Sequence, residues 1–233
     1  IIFSKTYKEN DLFIKFLSNT DEIISGIVYG GLSKSKRNIY QIGFFLNLNV
    51  SFMPNRVPSI SAELTEPFIS QIINNKYKLN CLLSTVSLVN LSIIEGQQIN
   101  GIYQITYNFL NLMIINKRWI SDYCLFLLTL LKTIGYEINY SNHNLKYFDI
   151  ESLEFKENKT NSTIVFPFDL IGRDGNENIN FNSINTIFKI FELVFKKNHL
   201  SNINLQLPNQ YLLFKKLIID YLRINGKNFK SKN

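Results

Sequence analysis

The hydrophobic pattern changes period near Glu66-Pro67, and that change restricts the chain to a fold with β structure first and helices after it. Before this point the apolar runs are short: Leu12 to Leu17, Ile23 to Tyr29, Phe44 to Phe52 and Ser59 to Thr65, with a residual strand at Ile1 to Ser4. In the third run Phe45, Asn47 and Asn49 alternate with Phe44, Leu46, Leu48 and Val50, so one face is buried and the other is not. Short consecutive strands with a glycine-bearing turn predict a small closed barrel. The five-stranded OB barrel is the economical choice, and an SH3-like barrel is the alternative. Pro54 and Pro58 bracket Asn55 to Val57 as a loop between strands.

From about Phe68 the apolar residues recur at spacings of three and four. Leu79, Leu82, Leu83, Val86, Val89 and Ile93 form one helical stripe, Gly96 interrupts it, and Ile102, Ile105, Phe109, Leu112 and Met113 form the next. Ile120, Cys124, Leu127, Leu128 and Leu131 follow, with Lys132 in the last turn and Gly135 placed to end the helix. Residues Asn139 to Asn182 are less regular. Helical spacing returns at Ile184, Ile187, Phe188, Phe191 and Phe195, and again after Pro208 at Leu213, Phe214, Leu217, Ile218, Tyr221 and Leu222. The reading is an α+β chain: a barrel over 1–66, a mainly α-helical domain over 67–225, and a basic flexible tail over 226–233.

Composition supports packed domains. Of 233 residues, 45% are hydrophobic and 19 are Phe, which excludes general disorder. The longest uncharged run, Gly96 to Asn116, carries Asn100, Gln104, Thr106, Asn108 and Asn111, whose polar groups are costly in lipid, so it reads as a buried or half-buried helix. No secretory signal pattern is read in the first residues. Cys81 and Cys124 are far apart in apolar settings and read as small buried hydrophobes in a reducing compartment. His143 lacks further ligands around it, as does His199, so neither predicts a metal site.

Between two strand-like runs stands YGGLSKSKRNIYQIG, from Tyr29 to Gly43. Gly30 and Gly31 permit sharp backbone geometry, while Lys34, Lys36 and Arg37 place cations on a loop suited to a phosphate backbone. Net charge is +7, distributed as +2 over residues 1–65 (seven Lys/Arg, five Asp/Glu), −2 over 66–188 (nine, eleven) and +7 over 189–233 (nine, two). A basic C-terminal region next to packed helices favours a polyanionic partner such as nucleic acid. Glu151, Glu154 and Glu157 have neither a paired His nor a phosphate cradle, and read as solvated surface. With no nucleophile triad, Walker loop, dinucleotide fingerprint or metal cluster, a non-catalytic binding protein without cofactor is expected.

The order of these features resembles the DNA repair protein family RecO. ENDLFIKFLS (Glu9 to Ser18) is similar to that family's first strand, and IISGIVYGG (Ile23 to Gly31) to its next strand running into glycine. Gln41 and Gly43 stand at its usual turn, without the proline. SISAELTEPF (Ser59 to Phe68) resembles the strand ending the first domain, LLKTIGY (Leu130 to Tyr136) a helix end followed by Gly-aromatic, and LPNQYLLFKKLI (Leu207 to Ile218) the closing Leu-Pro step into a helix. Some relatives carry a four-cysteine zinc site after the Gly-aromatic step. YEINYSNHNL (Tyr136 to Leu145) has no cysteine, so the chain is expected to fold without zinc.

The resemblance implies a recombination mediator of the bacterial cytoplasm, associated with the nucleoid. It implies binding of single- and double-stranded DNA, annealing of complementary strands, contacts with RecR and with single-strand DNA-binding protein, indirect action on RecA, and no membrane partner. The residues themselves predict polyanion binding, with Lys34, Lys36, Arg37 and Arg56 on phosphates and Tyr29, Tyr40 and Phe52 for stacking, or else as barrel core. Lys215, Lys216 and Arg223 are further DNA-binding candidates on the last helix. An OB-fold RNA-binding protein and a protein-interaction adaptor without nucleic-acid binding are the alternatives.

Overall fold

The computed structural model describes residues 1–66, 68–140, 145–171 and 180–224, in two compact units divided between Gln104 and Ile105. The first unit is built on five strands: β1 (Phe3–Thr6), β2 (Leu12–Leu17), β3 (Ile23–Val28), β4 (Phe45–Ser51) and β5 (Ser59–Glu66). Their order in the sheet is β1-β2-β3-β5-β4. All neighbours are antiparallel except β3 and β5, which run parallel and meet at Ile27 and Ser59.

Register explains the core. Leu12 lies opposite Val28, Ile14 opposite Gly26, Phe16 opposite Ile24, Val50 opposite Ile60 and Leu48 opposite Ala62. Side chains alternate faces along a strand, so the even-numbered residues of β2 to β5 share one face. That face carries the buried cluster of Leu12, Ile14, Phe16, Val28 and Ile60, completed by Tyr40 from the connection before β4. Gly26 lies on it where β3 and β5 come closest: a Cβ there would stand 2.5 Å from Ile60 Cδ1 and 2.7 Å from the Pro58 carbonyl oxygen.

The expected closed barrel is not found: among the described residues β1 and β4 are not paired as strands, and the sheet is open. β1 is 4 residues long and is paired along one edge, with β2; among the described residues its other edge has no strand beside it. Ile1 alone reaches across, donating its backbone nitrogen to Phe44 O at 2.8 Å and accepting from Gly43 N at 2.8 Å, ahead of the start of β4.

The first unit also extends past the boundary read from the sequence. A single helical turn (Phe68–Gln71) and α1 (Lys76–Ser92) belong to it, as does the first turn of α2 (Ile102–Ile115). Asn75 starts α1 by accepting from Tyr77 N and Lys78 N, each at 3.1 Å. The start of α2 is capped from afar. Asp21, at the β2–β3 turn with φ +66°, accepts from Gly101 N at 2.8 Å and Tyr103 N at 2.9 Å, where a carboxylate also complements the helix dipole.

The second unit continues α2 and adds α3 (Trp119–Thr133) and three short strands, β6 (Tyr147–Asp149), β7 (Phe155–Lys156) and β8 (Thr163–Val165), ordered β7-β6-β8. Then come α4 (Phe168–Ile171) and α5 (Phe181–Val194), which runs into a π-helical segment (Phe195–Leu200), α6 (Ser201–Ile203) and α7 (Asn209–Ile224). Its core is aromatic. Tyr123 packs edge-on to Phe214 with centroids 4.8 Å apart, Phe191 lies 5.6 Å from Tyr211, and Trp119 and Phe188 join them, all buried. The helices stand where the periodicity places them, whereas the small sheet was not expected. The tail over 226–233 and His143 lie outside the described residues.

Asp149 organises that sheet and is 2% exposed. Its carboxylate pairs with Lys156 Nζ and accepts from Ser162 Oγ at 3.0 Å, Glu151 N at 2.9 Å and Ser152 N at 3.1 Å. The Lys156 ammonium first, then these donors, hold its carboxyl well below the usual carboxylate range. A carboxyl with a depressed folded pKa adds stability that is present above its unfolded value, about 3.9, and is lost as pH falls toward the folded one. Thermal melts followed by circular dichroism should therefore show stability falling below about pH 5. Asp149→Asn should lower Tm at pH 7 and flatten that acid limb; parallel limbs for the two proteins would refute the assignment.

Candidate nucleic-acid interface

The connection from β3 to β4 is folded rather than loose. Gly30, at φ +63°, donates its N–H to Asp11 Oδ1 at 2.9 Å, and Leu32 N donates to Asn10 O at 3.0 Å, fixing the loop's entry to the β1–β2 turn. Successive turns follow: Lys36 N and Arg37 N both donate to Ser33 O, at 3.1 and 2.9 Å, and Ile39 N to Lys36 O at 2.8 Å. Ile39 is half-buried and Tyr40 buried, so the far end is pinned to the core. Lys34, Lys36 and Arg37 stand exposed between these anchors, and among the described residues none of them joins an ion pair. Lys36 Nζ donates to Tyr29 O at 3.1 Å, which holds one of the three cations against the loop's base.

The β4–β5 loop supplies the apolar part. Phe52 is 72% exposed, with Met53 and Val57 also in solvent and Arg56 exposed between them. Asn55 sits at φ +59° and Arg56 N donates to Met53 O at 3.2 Å, so the tip has a defined shape. Its legs are held by the Ser51–Ser59 pairing and by Ile27 N donating to Pro58 O at 2.8 Å. Ser51, Ser59 and Ile27 therefore lie on one cross-strand line. Because β4 runs antiparallel to β3, Phe52, one residue past the end of β4, and the exposed Tyr29, one past the end of β3, lie on opposite sides of that line, two strands and three residues apart. At about 4.8 Å between strands and about 3.3 Å per residue, the roots of these two rings are roughly 15 Å apart.

The structure thus brings Tyr29, Phe52, Arg56 and the cation loop to strand ends of one sheet. It does not bring Tyr40 there. Tyr40 is 5% exposed, and its hydroxyl accepts from Ala62 N at 3.0 Å while burial raises its pKa. Tyr40 fills the core because its connection has to be anchored before β4, so it offers no stacking surface. Met53 and Val57 were not singled out from sequence. The two prolines around them are the signal that the segment leaves the sheet.

The C-terminal candidates separate in the same way. Lys215 Nζ donates to Glu192 Oε1 at 2.6 Å, and the same oxygen accepts from Tyr211 Oη at 3.1 Å, so Lys215 is committed to the packing of α5 and α7. Lys216 is exposed. Arg223, seven residues further along and on the same helical face, lies over the Phe181 ring at 5.7 Å. Lys189, Lys196 and Lys197 are exposed on α5 and the π-helical segment, and sequence reasoning did not select them.

Both cysteines are buried in helices, and burial first, then the Asp122 charge, pushes the Cys124 thiol up. Among the described residues no group of three His, Cys, Asp or Glu side chains is placed to hold a metal ion. None of the described helices is long and apolar enough to cross a membrane. No family model matches the chain, and no curated protein matches it in sequence.

Proposed function

We propose that this protein binds nucleic acid without catalysis, through an OB-type sheet in its first unit, as a DNA-binding recombination mediator. The observation that carries the reading is the presence of exposed cations, Lys34, Arg37 and Arg56, and exposed rings, Tyr29 and Phe52, at strand ends of one sheet. Backbone phosphates are neutralised by the cations while bases stack on the rings, which is how OB sheets hold single strands. Strand order β1-β2-β3-β5-β4 with a parallel β3–β5 contact supports the OB reading, since that fold is a five-stranded, partly open Greek-key barrel. Strand annealing, contacts with RecR and single-strand DNA-binding protein, and assistance to RecA loading belong to this proposal through the resemblance to RecO.

Binding isotherms for single-stranded DNA, duplex DNA and RNA of equal length, each across a salt series, test the proposal. It expects log affinity for both DNAs to fall linearly with log salt. Preference for RNA would favour an RNA-binding protein. The exposed apolar tip of Phe52, Met53 and Val57 favours one other reading, a protein-interaction adaptor, which predicts no measurable affinity for any of the three nucleic acids.

A further inference from the structure

The second unit holds a cleft of about 500 Å³. Its walls are the chain leaving α3, with Tyr136 and Glu137; the turn after β6, with Leu153; and the end of α5, with Lys197, Asn198 and Asn202. That volume is in the range of small-ligand sites.

Two walls carry conformations that cost free energy. The α5 side is the π-helical segment Phe195–Leu200, a geometry that appears mostly at functional sites. Its loosened carbonyls are met by side chains one turn on, with Asn202 Nδ2 donating to Asn198 O at 2.6 Å and Ser201 Oγ to Lys197 O. Facing it, Leu153 is held at φ +61°, where a residue with a Cβ is strained. The walls are tied together by Lys197 Nζ donating to Glu151 O at 2.8 Å.

The chemistry of the lining selects an anion that carries a flat ring. Glu137 is paired with Lys132 at 2.7 Å, whereas Lys197 Nζ, which among the described residues forms no ion pair, donates to the neutral Glu151 carbonyl and has further N–H groups for a ligand. Asn198 and Asn202 add carboxamides beside it. The Tyr136 ring lines the same cleft and is braced edge-on by His199, centroids 5.9 Å apart, with Phe195 behind His199 at 4.9 Å. We propose that this cleft is a nucleoside-phosphate site, with Lys197 on the phosphate, Asn198 and Asn202 on polar edges of the ligand, and Tyr136 against the base. Its lining residues all belong to the second unit.

Isothermal titration of the intact protein with adenosine and uridine monophosphates, the matching nucleosides and inorganic phosphate tests this. The expected result is saturable, submillimolar binding of at least one nucleotide, with its nucleoside weaker by roughly tenfold or more, the usual loss for a hydrogen bond to a charged group. Lys197→Ala should abolish that difference and Lys197→Arg should retain it. Tyr136→Ala should weaken nucleotide binding by a similar factor without changing the response to phosphate. Because Lys197→Ala also removes the tie to Glu151, its far-ultraviolet spectrum and melt are compared with those of a variant at another exposed lysine of the second unit, Lys159→Ala, which must leave nucleotide binding intact. Absence of saturable binding by either nucleotide, or affinity unchanged in a folded Lys197→Ala protein, would overturn the assignment.

Discussion

Replacement of Gly26 by valine is expected to lower the melting temperature by on the order of 10 °C, or to leave the first unit unfolded. A Cβ at this position meets Ile60 Cδ1 at 2.5 Å and Pro58 O at 2.7 Å, and only the side chain can give way, because the Pro58 carbonyl accepts from Ile27 N. Two effects oppose each other. A β-branched residue in a strand gains several tenths of a kcal/mol from propensity and lower unfolded-state entropy, whereas overpacking a core costs about 1–3 kcal/mol and more when backbone must move. The clash wins. Ile60→Ala should restore part of the loss in the double variant, with a coupling of about 1 kcal/mol or more, because the two side chains compete for the same space. A Gly26→Val protein with wild-type Tm would show that β3 and β5 do not approach as described.

Replacing Lys34, Lys36 and Arg37 together by alanine should weaken binding to single-stranded DNA by on the order of a hundredfold at 0.1 M salt. If all three cations sit on phosphates, the slope of log affinity against log salt should flatten by about two units for single strands and nearly three for duplex. Fold stability should hardly change, since the three side chains are exposed and the loop is pinned by Gly30, Ile39 and Tyr40 rather than by its charges. Lys36→Ala alone should have the smallest effect of the three, because its ammonium is drawn to the Tyr29 carbonyl. A folded triple variant that kept affinity and slope would move the electrostatic contact to the second unit. There Lys216 and Arg223 are the cations to remove, since Lys215 is held by Glu192.

Much of this arrangement is legible in the chain. The alternation from Phe44 onward gives β4 its half-buried face against the core, the three-and-four spacing gives α1 to α3, α5 and α7, and the cluster after Gly31 gives an exposed basic loop. What is not legible depends on pairing at a distance. Closure of the sheet turns on the register of β1, a strand of 4 residues that carries almost no periodic signal. Strands β6 to β8, two or three residues long, are assembled around the Asp149 carboxylate, and no window of sequence reveals a hub whose donors lie at 151, 152, 156 and 162. Tyr40 shows the same limit at a single position. An aromatic residue flanked by cations and amides reads equally as a stacking ring or as an anchor, and only the bond to Ala62 N decides for the anchor.

The most direct test of the account places a reporter on the proposed surface. Trp119 is the only tryptophan and is 2% exposed, so an indole introduced by Phe52→Trp, at a position 72% exposed, is the one that bound bases can reach. Titration of this variant with oligothymidylate at low salt should quench its emission strongly and saturably, with the midpoint moving to higher DNA concentration as salt is raised. The Lys34, Lys36 and Arg37 alanine changes made in the same background should shift that midpoint in the same direction. Saturable binding of the oligonucleotide, seen independently by anisotropy, with the emission of the Phe52→Trp protein unchanged, would contradict the account.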